Sequence, residues 1–202
     1  MSKLKFPHAS GNSMSIAAPA TNPASDLELK LPATIGTAGQ VLKNSGTPGT
    51  LEFGSGGGIQ EFDMWRVNSD FSQATADITA NWERADTDFD KIGTGLTESS
   101  GVFTFPSTGK WFVGFSIYSW NSGEVDYIGG KILLAGNIRT EALTSHSADT
   151  LAANVYTTTC LDITDTSGQT MKFQTIAPSS SSFNGNTSEQ RTGFWTMKVG
   201  DT

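Results

Sequence analysis

The chain has 202 residues, with 13 Lys and Arg against 20 Asp and Glu, and a net charge of -7. Gly, Ser and Thr together exceed a third of the residues, a balance that suits short strands joined by polar turns and disfavours a helical bundle. No apolar run approaches the ~20 residues of a membrane helix. The acidic balance argues against a nucleic-acid partner, and a single cysteine, Cys160, excludes an internal disulfide framework or a multi-cysteine zinc site.

Taken in chain order, Met1–Pro7 carries no apolar stretch of a secretion signal. Residues 8–25 are small and polar, with Pro at 7, 19 and 23. Leu27, Leu29 and Leu31 alternate with Glu28 and Lys30, which predicts a short strand ended by Pro32. A Gly-rich turn around Asn44–Gly49 then leads to Leu51 and Phe53, so a hairpin is expected within residues 27–53. The run Gly54-Ser55-Gly56-Gly57-Gly58 reads as a flexible joint.

Residues 1–60 carry a net charge of +1 and the remainder -8, and all five Trp, all three Tyr and ten of twelve Phe lie after residue 60. The first part lacks the bulk to fill a core, so it is expected to take its order from a partner rather than fold alone. Two parts follow: residues 1–58, an extended attachment arm with its joint, and residues 59–202, a head. The apolar edge available for docking is Leu27, Leu29, Leu31, Val41, Leu42, Leu51 and Phe53. A tail without structure is the other reading of the same composition.

In the head, Phe103 and Phe105 precede a turn at Pro106–Lys110. Trp111 to Tyr118 follows with apolar residues on both faces, as in a sandwich interior or a subunit interface. Ile132-Leu133-Leu134 is a further buried candidate. Val155, Thr157, Thr159, Leu161 and Ile163 alternate before a turn at Thr164–Gly168, and Met171 and Phe173 begin the return strand. Trp195, Met197 and Val199 alternate at the end. Sustained helical periodicity is missing, so an all-β sandwich or barrel is expected.

Two phrases carry resemblances. Gly101-Val102-Phe103-Thr104-Phe105-Pro106-Ser107-Thr108-Gly109-Lys110-Trp111-Phe112-Val113-Gly114-Phe115-Ser116, with the closing Arg191 to Val199, resembles the heads of complement-type and tumour-necrosis-factor-like proteins. That likeness, over residues 61–200, implies a jelly roll of about ten strands assembled as a trimer, here without a collagen-like stalk. Phe103, Phe105, Trp111, Phe115 and Trp195 are then core or trimer-interface residues. Leu29 to Leu42, followed by Leu51-Glu52-Phe53, resembles segments that precede fibre or adhesin heads in structural proteins of marine tailed bacteriophages. Together these imply a phage virion protein on the outer surface of capsid or tail. It would form a homotrimer and be joined to another virion protein through its arm, with a host-surface glycan as a further contact.

Candidate chemistry is sparse. Asp86, Asp88 and Asp90 alternate as calcium ligands do, but the sixth position from Asp86 is Lys91 rather than Gly and the twelfth is Thr97 rather than Glu. A solvated acidic loop fits better, and no cofactor is expected. His8 and His146 sit among small polar residues and read as surface groups, while Cys160, in a strand, reads as a small buried hydrophobe. Neither a Gly-x-Ser-x-Gly elbow nor a phosphate loop is present, so an enzyme is not expected. Trp82 and Trp120, beside polar loops, are the tryptophans expected at the surface, where an indole face stacks on sugar. A lectin-like module that holds glycan or calcium is therefore the alternative reading.

Overall fold

The computed structural model describes residues 3–7, 10–11, 13–17, 20–21, 23–147 and 152–202, and the chain divides into two compact units, Met1–Gly57 and Gly58–Thr202. The described residues contain no helix.

The first unit is built from two antiparallel hairpins. β1 (Lys3–Pro7) pairs with β2 (Ser13–Ala17), and β3 (Gln40–Asn44) pairs with β4 (Leu51–Ser55). The strand expected over Leu27–Leu31 is not formed. Only Lys30 bridges, in parallel, to Thr50, and the hairpin sits further along, with Leu42 opposite Phe53. Alternation makes a strand only where a sheet edge receives it, and here the edge offers a single residue. Phe53 lies against Gly36, where any Cβ would collide with its ring at 2.5 Å.

The second unit contains β5 (Phe62–Val67), β6 (Phe71–Gln73), β7 (Trp82–Arg84), β8 (Thr97–Ser99), β9 (Val102–Thr104) and β10 (Gly109–Trp120). It continues with β11 (Val125–Leu134), β12 (Asn137–His146), β13 (Ala152–Ile163), β14 (Met171–Ile176), β15 (Ser181–Phe183) and β16 (Gly193–Gly200). In one sheet β13 runs along one side of β10, while β16 and β15 share the other; β5 and β7 extend beyond β16, and β6 beyond β15. The second sheet has the order β12-β11-β14-β9-β8. All strand pairs are antiparallel, and the β11–β12 turn is closed by Ala135 and Gly136, both at positive φ as a two-residue hairpin turn requires. This is the all-β jelly-roll sandwich expected of the head.

The core lies between the sheets. Trp111, Val113, Phe115 and Ile117 of β10 point inward with Val155, Leu161 and Ile163 of β13, and meet Ile132, Met171 and Phe173 of the other sheet. Phe173 stacks on Phe194 at 4.2 Å, and Phe103 meets Phe194 edge-on at 4.6 Å. Aromatic pairs at these separations add about 0.5–1.5 kcal/mol each beyond area burial.

At the edge of this core Asp63 is fully buried. Its carboxylate accepts from Arg84 Nε at 2.9 Å, from the Trp65 indole N–H at 3.0 Å and from the Leu96 N–H at 2.8 Å. A buried carboxylate persists only when paired and hydrogen-bonded; this one ties β5, β7 and the loop before β8 to one point.

Candidate functional site

Strand alternation puts even-numbered residues of β10 and β13, and odd-numbered residues of β16, on the outer face of the first sheet. That face carries Phe62 and Met64 from β5, Trp195 and Met197 from β16, Phe112 from β10, and Tyr156 and Cys160 from β13. The register sets Phe62, Met197, Phe112 and Cys160 in one row across four strands, and Met64, Trp195, Gly114 and Thr158 in the next. Trp195 stacks on Phe62 at 6.3 Å and meets Phe112 edge-on at 5.4 Å. Phe89 closes on Phe62 at 5.5 Å.

Gly114 makes the arrangement possible. A Cβ there would lie 2.3 Å from the Tyr156 hydroxyl and 2.5 Å from the Trp195 ring. Without it, the Trp195 indole N–H reaches across to donate to the Tyr156 hydroxyl at 3.0 Å. Tyr156 is still 51% exposed, and Phe62, Met64, Phe112, Trp195 and Met197 are half-buried. The outer face of an antiparallel sandwich is ordinarily polar. Contiguous aromatic and Met side chains on such a face are the composition of a protein interface. Ion pairs flank it: Lys110 with Asp162 at 2.8 Å on one side, and Arg66 with Glu83 at 2.7 Å and Asp86 at 2.6 Å on the other.

Of the residues expected in core or interface, Phe103, Phe105, Trp111 and Phe115 lie in the core, and Trp195 lies on this outer face. Cys160, expected to be buried, is exposed there, because it occupies an outward position of β13. Phe62, Phe112 and Tyr156 were not singled out by sequence reasoning. For Phe112 the available signal was the Trp111-Phe112 pair in β10, since adjacent residues of a strand face opposite ways; for Phe62 and Tyr156 there was none.

Several apolar side chains of the first unit are also uncovered within it, while Leu51 and Phe53, expected among the docking residues, are half-buried. Leu27, Leu29, Leu31, Val41 and Leu42 are exposed, and Ile35, which the sequence pattern did not mark, is 94% exposed. Leu42, Leu51 and Phe53 share one face of the β3–β4 hairpin; Val41 lies on the other with Lys43 and Glu52, which pair at 3.6 Å. Leu4, Phe6 and Ile16 form a further exposed apolar face on the first hairpin.

The remaining candidates are placed as follows. Asp86 is held by Arg66, Asp88 and Asp90 are exposed, and among the described residues no group of three or more His, Cys, Asp or Glu is placed to hold a metal. Trp82 is not at the surface as expected: its indole N–H donates to the Ile78 carbonyl at 2.8 Å and its ring packs on Phe103, Phe173 and Phe194. Trp120 is exposed at the end of β10. His8 lies outside the described residues. His146 is buried rather than on the surface, its Nε2 2.8 Å from the Ser119 hydroxyl. That spacing suits a nucleophile and its base, but both residues are about 1% exposed, closed to any substrate.

No protein-family model and no curated protein matches the chain. Solved structures do. Murine APRIL at pH 5.0 aligns with a TM-score of 0.53 and 12% identity, over 69% of this chain and 98% of that one. Its pH 8.5 structure gives 0.51 and 10% over the same shares. The vertex protein P5 of PRD1 aligns at 0.48 and 11%, over 82% of this chain and 85% of that one. At 12% identity the likeness to APRIL is one of fold, and it bears out the jelly-roll expectation.

Proposed function

We propose that the chain is a non-enzymatic structural protein of a phage virion. In this reading three heads associate through the outer face around Trp195, and the N-terminal unit fastens the trimer to another protein at the outer surface of capsid or tail. The observation that carries the reading is the uncovered aromatic face, built across four strands and braced by the bond from Trp195 to Tyr156. A monomer gains nothing from such a face, whereas a closed assembly of copies buries it. Three copies are what the tumour-necrosis-factor-like resemblance implies.

The arm's role is supported by Leu27, Leu29, Leu31 and Ile35, exposed on a unit whose described residues contribute none of the buried core cluster, and its virion address by the resemblance of residues 29–53 to phage segments. Three arms on one trimer link three modest attachments into one long-lived contact. Sedimentation equilibrium on the full chain tests the assembly: the expected mass is three times 21.4 kDa, for the full chain and for a version beginning at Gly58. Only the full chain is expected to bind particles stripped of the protein. A monomeric full chain at micromolar concentration overturns the reading, as does equal particle binding by both versions. Electron cryomicroscopy of intact particles locates residues 1–57.

A further inference from the structure

A second surface lies at the far end of β10. Trp120 is 50% exposed there, beside a cleft of 420 Å³ lined also by Asp70, Phe71, Ser72, Ser182 and Asn184. It lies eight positions beyond Phe112 on the same outward face of β10, about 26 Å away at the rise of an extended chain, and so beyond the centre of the aromatic face.

The cleft is a built feature. Phe71 stacks on the buried Phe183 at 5.3 Å, and Ser72 is in register with Ser182, their hydroxyls 3.3 Å apart. Asp70 Oδ1 accepts the Gly185 N–H at 3.0 Å, which anchors this exposed carboxylate at the cleft. Asn121, next to Trp120, accepts the Ser182 N–H through Oδ1 at 2.9 Å. Two amide atoms here are buried without a hydrogen-bond partner: Asn121 Nδ2 and, on a residue that lines the cleft, Asn184 Oδ1. Buried polar atoms are nearly always met by a partner.

We propose that this cleft binds a neutral saccharide. The indole of Trp120 offers a flat apolar surface for the C–H face of a pyranose, and Asp70, Ser72, Ser182 and Asn184 offer the convergent polar groups that hold its hydroxyls. The lining contains no cation, and the Asp70 carboxylate repels anions, so phosphate, sulfate and sialylated sugars are excluded. A quaternary ammonium needs several aromatic faces around it; here Trp120 is the exposed ring, and Phe71 is engaged with Phe183. The inference does not rest on the assembly reading, and loss of sugar binding would leave the trimer and arm tests as they stand.

The test uses the full chain labelled with ¹⁵N, following the Trp120 indole N–H signal, assigned by Trp120→Phe. The probes are methyl α-D-mannopyranoside, lactose, N-acetylglucosamine, sialyllactose and choline, each titrated over roughly 0.1–50 mM. At least one neutral sugar is expected to move the Trp120 signal saturably, and sialyllactose and choline are expected to leave it in place. Trp120→Ala should weaken binding at least tenfold, read from the other shifted amides. Asp70→Asn, which retains the oxygen that accepts the Gly185 N–H and so keeps the loop, should do the same. The proposal is overturned if no neutral sugar moves the signal, if only choline or sialyllactose does, if either variant binds as well as the parent, or if the Trp120 ring proves covered by another copy in the assembled protein.

Discussion

The Trp195 indole N–H donates to the Tyr156 hydroxyl at 3.0 Å, across a strand that carries no side chain at the crossing point. The two residues belong to β16 and β13, which are not neighbours; β10 lies between them, and Gly114 is the gap in it. The bond holds two large rings flat on the sheet in the free head, so little side-chain freedom is lost when another surface closes on them.

Trp195→Ala is therefore expected to weaken self-association at least ~30-fold, the effect of losing about 2 kcal/mol at an interface hot spot. Sedimentation equilibrium reads the loss. Because Trp195 is outside the core, the unfolding midpoint of the dissociated head should change little, which separates an interface effect from a folding defect.

Gly114→Val makes the complementary case. The new side chain meets the Tyr156 hydroxyl and the Trp195 ring at distances no carbon tolerates, so one of the two must lift away. The expected outcome is loss of the proposed self-association with a cost to head stability of about 1–3 kcal/mol, as for overpacking elsewhere. Denaturant unfolding and sedimentation on the same sample check both halves.

Asp63→Ala leaves Arg84, the Trp65 indole and the Leu96 N–H without their shared acceptor. Removing one member of a buried ion pair costs about 3–5 kcal/mol, which urea unfolding of the head measures. Asp63→Asn keeps an acceptor and should lose less; equal losses for the two variants would show that hydrogen bonding at this point is unimportant.

Replacing Leu27, Leu29 and Leu31 together by Ser should abolish attachment to particles and leave the thermal midpoint of the head unmoved. These side chains are exposed, so any fall in the head's stability would count against a docking role.

Asp165 sits in the β13–β14 turn, where the Ser167 hydroxyl, first, and then the Ser167 and Gly168 backbone N–H groups lower its pKa from the ordinary 3.8. A carboxyl lowered on folding stabilises the folded state above its unfolded pKa, and the gain is lost as pH falls through the lower folded value. The carboxyl-carbon NMR titration of Asp165 is expected to have its midpoint below 3.8, and Ser167→Ala to move it back toward 3.8.

Much of the head was legible because β10 is a long aromatic and β-branched run and β13 is long with a regular alternation. Val155, Thr157, Thr159, Leu161 and Ile163 point inward as their spacing demands. At β16 the pattern was ambiguous. Phe194 and Trp195 are adjacent aromatics, and period two says only that they face opposite ways; the structure turns Phe194 inward and Trp195 out. Trp82 read as a loop residue because β7 is three residues long, too short to show a period, yet its neighbours bring it onto Phe103 and Phe173. His146 was obscured by the serines around it, since nothing local announces that Ser119, 27 residues earlier, will meet it. The leucines at 27–31 carry a strand's alternation without a strand, because pairing depends on an edge that local sequence does not encode.

The position of Asp63 has a mechanical consequence. A load applied at residue 58 enters the sandwich through β5, which lies hydrogen-bonded along β16 from Phe62 to Arg66 and is clasped to Ile92 by two bonds of 2.9 and 3.0 Å. A pull along β5 loads those rungs in shear, all at once rather than in sequence. The carboxylate of Asp63, bonded to Arg84, Trp65 and Leu96, adds a rivet just inside the entry point, where a tugged tether would strain the fold first.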